Sequence, residues 1–191
     1  MNIKPQLYIL ASGLFNQPTP TCIANLQGLL DELLQTIPEN SSWQTIFKVL
    51  KPQLNYNQDL EIEYNRLFVL SFPHSTIQPF ASYWLESDQG LMGNSTLEIK
   101  NMMAEHGIKV AENAGLLPDH IVSELEFIAY LASQNDEKSL QTKQQLLGQH
   151  CAYWMPQFIE ALQAINPTLY YQLAANFLKQ LIEFDLKEYQ L

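Results

Sequence analysis

The residues best placed to do chemistry in this 191-residue sequence are Asp119, His120 and Glu124, introduced by Pro118. A carboxylate beside an imidazole can fix its tautomer and hold its proton, which is the base half of a nucleophilic or general acid–base site. Pro118 and Asp119 stand where a helix should begin, so the unpaired N–H groups and the dipole of its first turn favour the Asp carboxylate. Glu124 follows His120 by one helical turn and is expected beside the ring. The structural alternative is an N-terminal cap made by Asp119, with His120 satisfied by a neighbour. A small hydrolase built on His120 with Asp119 or Glu124 would need a nucleophile or a metal, and no motif supplies one. The sequence has no Gly-x-Ser-x-Gly, His-Glu-x-x-His or Cys-x-x-Cys, and no Glu has a His three positions later, as di-iron bundles require. His74, His106 and His150 stand singly and read as structural or exposed. The chain therefore reads as a non-enzyme with no resident cofactor or metal.

A second group is aromatic. Phe72, Phe80, Tyr83 and Trp84 alternate with Pro73, Pro79 and Ser82. Such a cluster can plug a core, or it can line a groove for a peptide helix or extended segment, with aromatics giving area and Pro giving rigidity.

The elements that must hold these groups are helical. Only 7 Gly are present, and no run of β-branched residues alternates with polar ones. Thr19 to Ile37 carries Ile23, Leu26, Leu29, Leu30, Leu33 and Leu34 on one stripe, with Thr19 as cap and Pro20 in the first turn. A short helix from Ser41 or Ser42 is expected to end at Pro52, and another to run from Asp59 to Leu70. Ser71 to Ser82 reads as a long loop. A helix capped by Asn94 or Ser95 ends at Gly107, another starts near Pro118, and Leu140–Ala164 and Pro167–Glu188 read as two long helices. The polar stretch from Gln134 to Lys143 reads as a mobile linker or frayed helix start, across which a swapped dimer could exchange segments; a monomer is the other option. The fold class is all-α, a single-domain helical bundle of about eight to ten helices.

Composition narrows the partners. With 10 Lys+Arg against 20 Asp+Glu the net charge is −10, which disfavours nucleic acid and anionic membrane surfaces. No apolar run reaches the roughly 20 residues of a spanning helix. The opening MNIKPQLYILASGLF lacks the basic region and unbroken apolar run of a signal peptide, so a cytoplasmic chain is expected. Cys22 and Cys151, far apart in apolar patterns, read as free thiols.

Four segments in order carry a resemblance: EYNRLF (Glu63–Phe68), PFASYWLESDQGLMGNST (Pro79–Thr96), LPDHIVSELEFIAYL (Leu117–Leu131) and HCAYWMPQF (His150–Phe158). Together they resemble the TorD/DmsD family of chaperones for molybdenum-containing reductases, related to the NarJ group. The resemblance runs from about Leu60 to Asp185. It implies an all-helical chaperone that binds the twin-arginine leader peptide of a DMSO- or TMAO-type reductase apoenzyme and delays export until the molybdopterin cofactor is inserted. The family's Pro-Asp-His signature falls on Pro118, Asp119 and His120, and its aromatic loop on Pro79, Phe80, Ser82, Tyr83 and Trp84, with Ala81 in the middle. The expected leader groove has Leu67, Phe68, Phe80, Tyr83 and Trp84 as its wall and Asp119 and His120 as polar readers. Apolar burial, at about 25 cal/mol per Å², would hold the peptide, while Asp119, Glu124 and the net negative charge would steer the Arg pair. Molybdenum-cofactor biosynthesis proteins are further partners on this reading. Guanine nucleotide is another, although Gly90 and Gly93 have no accompanying Lys to cradle phosphate.

Overall fold

Lys4–Phe15 forms helix α1 with Pro5 in its first turn, where a missing N–H costs nothing. Leu7, Tyr8, Leu10, Ala11 and Leu14 have no exposure, so α1 is apolar nearly all round and lies inside the bundle. The computed structural model describes residues 2–69, 77–87 and 91–189. Among these residues the helices are α1, α2 (Pro20–Thr36), α3 (Ser42–Leu50), α4 (Gln58–Tyr64), α5 (Ala81–Leu85), α6 (Asn94–Glu105), α7 (Ile121–Ser133), α8 (Glu137–Leu146), α9 (Ala152–Ala164) and α10 (Leu169–Glu188). Asn65–Val69 and Leu147–Cys151 are π-helical turns that extend α4 and join α8 to α9.

The packing partner of α1 is chiefly α7. Asn2, ahead of α1, donates to the Ala132 carbonyl near the end of α7 at 2.8 Å, so the two run antiparallel. α10 also runs antiparallel to α1: Lys4 pairs with Asp185 at 2.6 Å, and the Tyr170 hydroxyl donates to the Leu14 carbonyl at 3.3 Å. One continuous apolar core links these three helices to α2, α3 and α9. It is closed at one end by a buried ionic knot. The Asp185 carboxylate, with no exposure, accepts from Tyr8 at 2.8 Å and pairs with Lys143 of α8 at 2.7 Å. Burial pushes the Asp185 carboxyl upward, but hydrogen bonds from Lys143 and Lys4 outweigh that and hold it below the usual carboxylate range.

Several expectations are corrected. Lys4–Phe15, weighed above only within a leader, forms the central helix. The short helix does stop before Pro52, at Leu50, and Pro52 itself sits in a 3₁₀ turn, Lys51–Gln53. Gln134–Lys143 is not a linker: Asp136 caps α8 by accepting from Ser139 N at 2.9 Å, and Ser139 and Lys143 are buried. The reading Leu140–Ala164 as one helix misses the π turn at Leu147–Cys151. Ala81–Leu85, partly assigned to a long loop, is helical; Leu70, Phe72, Pro73, His74 and Gly90 lie outside the described residues. No described helix is long and apolar enough to cross a membrane.

Candidate functional site

α5 is five residues long, too short to be stable alone, so its order must come from contacts elsewhere. They come from Asp119 and His120. The Ala81 N–H donates to the Asp119 carbonyl at 2.9 Å and Ile121 N–H to the Pro79 carbonyl at 2.8 Å, an antiparallel bridge pairing Phe80 with His120. Above it, the Asp119 carboxylate accepts from Ser82 N–H at 3.0 Å and supplies the cap that Phe80 cannot give α5. His120 caps α7: its Nδ1 accepts from Val122 N–H at 3.2 Å. The Phe80 ring packs edge-on against the imidazole, centroids 5.0 Å apart.

The expected cap by Asp119 of its own helix is thus corrected: Asp119 caps α5 across the chain, and His120 caps α7. An accepting Nδ1 carries no proton. Burial presses the His120 pKa down to about 4, more strongly than the Asp119 charge raises it, so His120 is neutral near pH 7.

Glu124 is not beside His120. As the N-cap, His120 has extended backbone (φ −71°, ψ 140°) and lies off the helical surface on which the four-residue rule operates. Glu124 turns into the core, where it has no exposure. One oxygen lies 2.7 Å from His150 Nε2, and the other accepts from Trp154 Nε1 at 3.0 Å. Burial pushes the Glu124 carboxyl above its usual range against the pull of His150 and Trp154. Burial alone would lower His150, but Glu124 lifts it above its ordinary value. Cys151 also contacts Glu124, at 3.6 Å, and burial drives its thiol well up. Thiol and imidazole converge on one carboxylate rather than on each other, and a fully buried, protonated thiol is no nucleophile. Among the described residues no group of three or more His, Cys, Asp or Glu side chains could hold a metal.

The aromatic wall divides by exposure. Leu67 has none; it lies in the first π turn and its carbonyl accepts from Ile77 N–H at 2.8 Å. Pro79 and Ser82 are buried too, whereas Phe68, Phe80, Tyr83, Trp84 and Pro118 are half-buried. Trp84 Nε1 donates to the Gln78 carbonyl at 2.8 Å and its ring stands edge-on to Phe158 at 6.5 Å. Phe158 stacks on Phe68 at 6.2 Å, and Tyr83 meets Trp84 at 5.2 Å. Asp119 and Glu124, both without exposure, act inside the protein rather than as surface charges, which corrects their expected role in steering a cation.

Sequence reasoning missed Glu86 and Phe158. Asn94 and Ser95 were the expected caps of α6, but Glu86 performs that task, accepting from Ser95 N–H at 2.9 Å and Oγ–H at 2.8 Å. Gly93 makes room for it, since a Cβ there would lie 2.6 Å from the Glu86 carboxyl. The signal for Phe158 was its place in the HCAYWMPQF segment.

Residues 24–160 match the family model described as nitrate reductase delta subunit. The chain is 28% identical over 173 residues to the chaperone protein TorD of Vibrio cholerae serotype O1 strain M66-2, covering 84% of this chain and 75% of that protein. It is 29% identical over 103 residues to the Tat proofreading chaperone DmsD of Salmonella typhi, covering 54% of this chain and 48% of that one. A candidate redox enzyme maturation protein from Archaeoglobus fulgidus shares the fold, with TM-score 0.66 over 93% of each chain at 21% identity. The curated relatives are thus named as chaperones of the TorD and DmsD types, and the chain itself belongs to the nitrate reductase delta subunit family.

Proposed function

We propose that this protein binds the twin-arginine leader peptide of a molybdopterin-dependent reductase, of the DMSO or TMAO reductase type, and holds the apoenzyme in the cytoplasm while its cofactor is inserted. The observation that carries this reading is the half-buried aromatic face of Phe68, Phe80, Tyr83 and Trp84, fastened by Asp119 and His120. The Salmonella relative's name, Tat proofreading chaperone, supports the same partner. The apolar part of the leader would pack on these rings, while Pro79, Ser82, Asp119, His120 and Glu124 hold the face in place from behind. Binding involves no bond breaking.

Calorimetry with a synthetic leader tests this. Trp84→Ala removes a half-buried ring whose further burial contributes about 2 kcal/mol, so affinity should fall roughly thirtyfold while the helical circular dichroism is kept. Unchanged affinity in the folded variant would remove Trp84 from the site.

A further inference from the structure

Between the end of α6 and the start of α7 the chain runs as a strap, residues 107–116, whose two turning points are left-handed: Gly107 (φ +69°) and Gly115 (φ +65°), a backbone that a side chain would strain. Ile108, Val110 and Leu116 of the strap are half-buried and wall a cavity of about 250 Å³. Its opposite wall is α7, through Ser123, Glu126, Phe127 and Tyr130, which recur every three or four residues and share one face. Two polar groups in this wall stand without partners. Ser123 is only 5% exposed, yet its hydroxyl has no hydrogen-bond partner among the described residues, a costly state for a buried polar group. Glu126 lies one turn further, and partial burial pushes its carboxyl above the usual range with no cation to offset it. Lys109, the other charged residue of the wall, holds its ammonium 3.7 Å from Glu112 instead. Past Glu126 the wall turns apolar: the Phe127 and Tyr130 rings stand edge-on to His106, at 5.9 and 6.5 Å, and Thr142 holds that imidazole at 2.9 Å.

The cavity is thus polar at its Ser123–Glu126 end and apolar toward Tyr130, roughly 10 Å further along α7. An ammonium carries three donors and no acceptor, so it can meet the Ser123 hydroxyl and the Glu126 carboxylate together while an apolar body lies between the strap and the two rings. We propose that this cavity between the strap and α7 is a binding site for a small primary amine carried on an elongated apolar body. None of Phe68, Phe80, Tyr83 or Trp84 lines it, so the site is separate from the aromatic face and does not rest on the function proposed above.

The test is a titration of the full chain, followed by NMR at the amides of Gly107, Gly115, Ser123 and Glu126, with three probes: phenylbutylamine, its neutral isostere phenylbutanol, and acetyl-lysine amide, which offers the same ammonium without a ring to lie against Tyr130. Phenylbutylamine should move these amides saturably and bind about fivefold more tightly than phenylbutanol. Acetyl-lysine amide should bind more weakly than phenylbutylamine. Glu126 is exposed, so Glu126→Gln should fold normally; it should erase the preference for the amine while keeping the affinity for the alcohol. Ser123→Ala should weaken amine and alcohol alike, each by several-fold. Amides that phenylbutylamine leaves unmoved overturn the site. Equal binding of amine and alcohol by wild type, or a preference that survives in Glu126→Gln, overturns the ammonium assignment, and equal binding of acetyl-lysine amide overturns the role of the apolar end. If Ser123→Ala does not fold, the Glu126→Gln comparison decides the site by itself.

Discussion

Acid should weaken the joint between α5 and α7 through one residue, His120. Its imidazole is neutral, caps α7 through Nδ1, and has a folded pKa of about 4 against an ordinary 6.5. A depressed folded pKa contributes stability that is fully present above the unfolded value and is lost as pH falls from 6.5 toward 4. With those two values the loss between about pH 7 and about pH 5 is about 2 kcal/mol, and it approaches about 3 kcal/mol near pH 4. Other groups titrate in the same window. Glu124 and His150 are both held above their ordinary values, so their contribution has the opposite sign: present below the unfolded pKa and lost as pH rises through the folded one. The perturbation that isolates His120 is His120→Asn. Asparagine can cap a helix about as well as any residue and does not titrate. Urea unfolding of both proteins, followed by tryptophan fluorescence across that pH range, gives a difference in which the Glu124 and His150 terms cancel. Wild type should lose about 2 kcal/mol more than His120→Asn between about pH 7 and about pH 5. Parallel stability curves would refute the assignment of His120 as a neutral cap.

Two further outcomes follow from the packing. Asp185→Asn leaves Lys143 buried without its countercharge and should destabilise the fold by about 3–5 kcal/mol in denaturant titration, with loss of protection in α8 on hydrogen exchange. Gly93→Ala places a methyl against the Glu86 carboxyl and breaks the cap of α6, at a cost of about 1–2 kcal/mol, read as faster exchange of the Ser95 amide.

The fold was legible where a helix has a polar face and a local cap. Thr19 caps α2 through Cys22 N–H at 3.0 Å, and Ser41 caps α3, both as the sequence suggests. α1 was illegible for the opposite reason: a helix apolar nearly all round, with even its exposed side carrying Ile9, shows no polar face, so the period that marks an amphipathic helix is missing. The residues that cap α5, α6 and α10 were hidden by a different cause. None of these helices has a side-chain cap from its own N-cap residue. Asp119 caps α5, Glu86 caps α6, and Glu63, held by Arg66, accepts from Thr168 N–H at 3.0 Å where α10 begins. Capping read along a sequence looks for a donor and acceptor three residues apart; here the separations are 37, 9 and 105.

That long-range capping also explains why the Pro-Asp-His segment could be located from sequence while its task was misread. Spacing placed Asp119 and His120 at a helix start, correctly, but the helix that needs the Asp carboxylate is α5, not the one that follows. The aromatic face has little order of its own; it forms only once α7 brings Asp119 and His120 to it. Changes behind the face, at Asp119 or His120, must therefore move stability and peptide affinity together. A change on its outer side, at Tyr83, whose ring packs on Trp84 and takes no part in the core cluster, should move affinity with little change in stability.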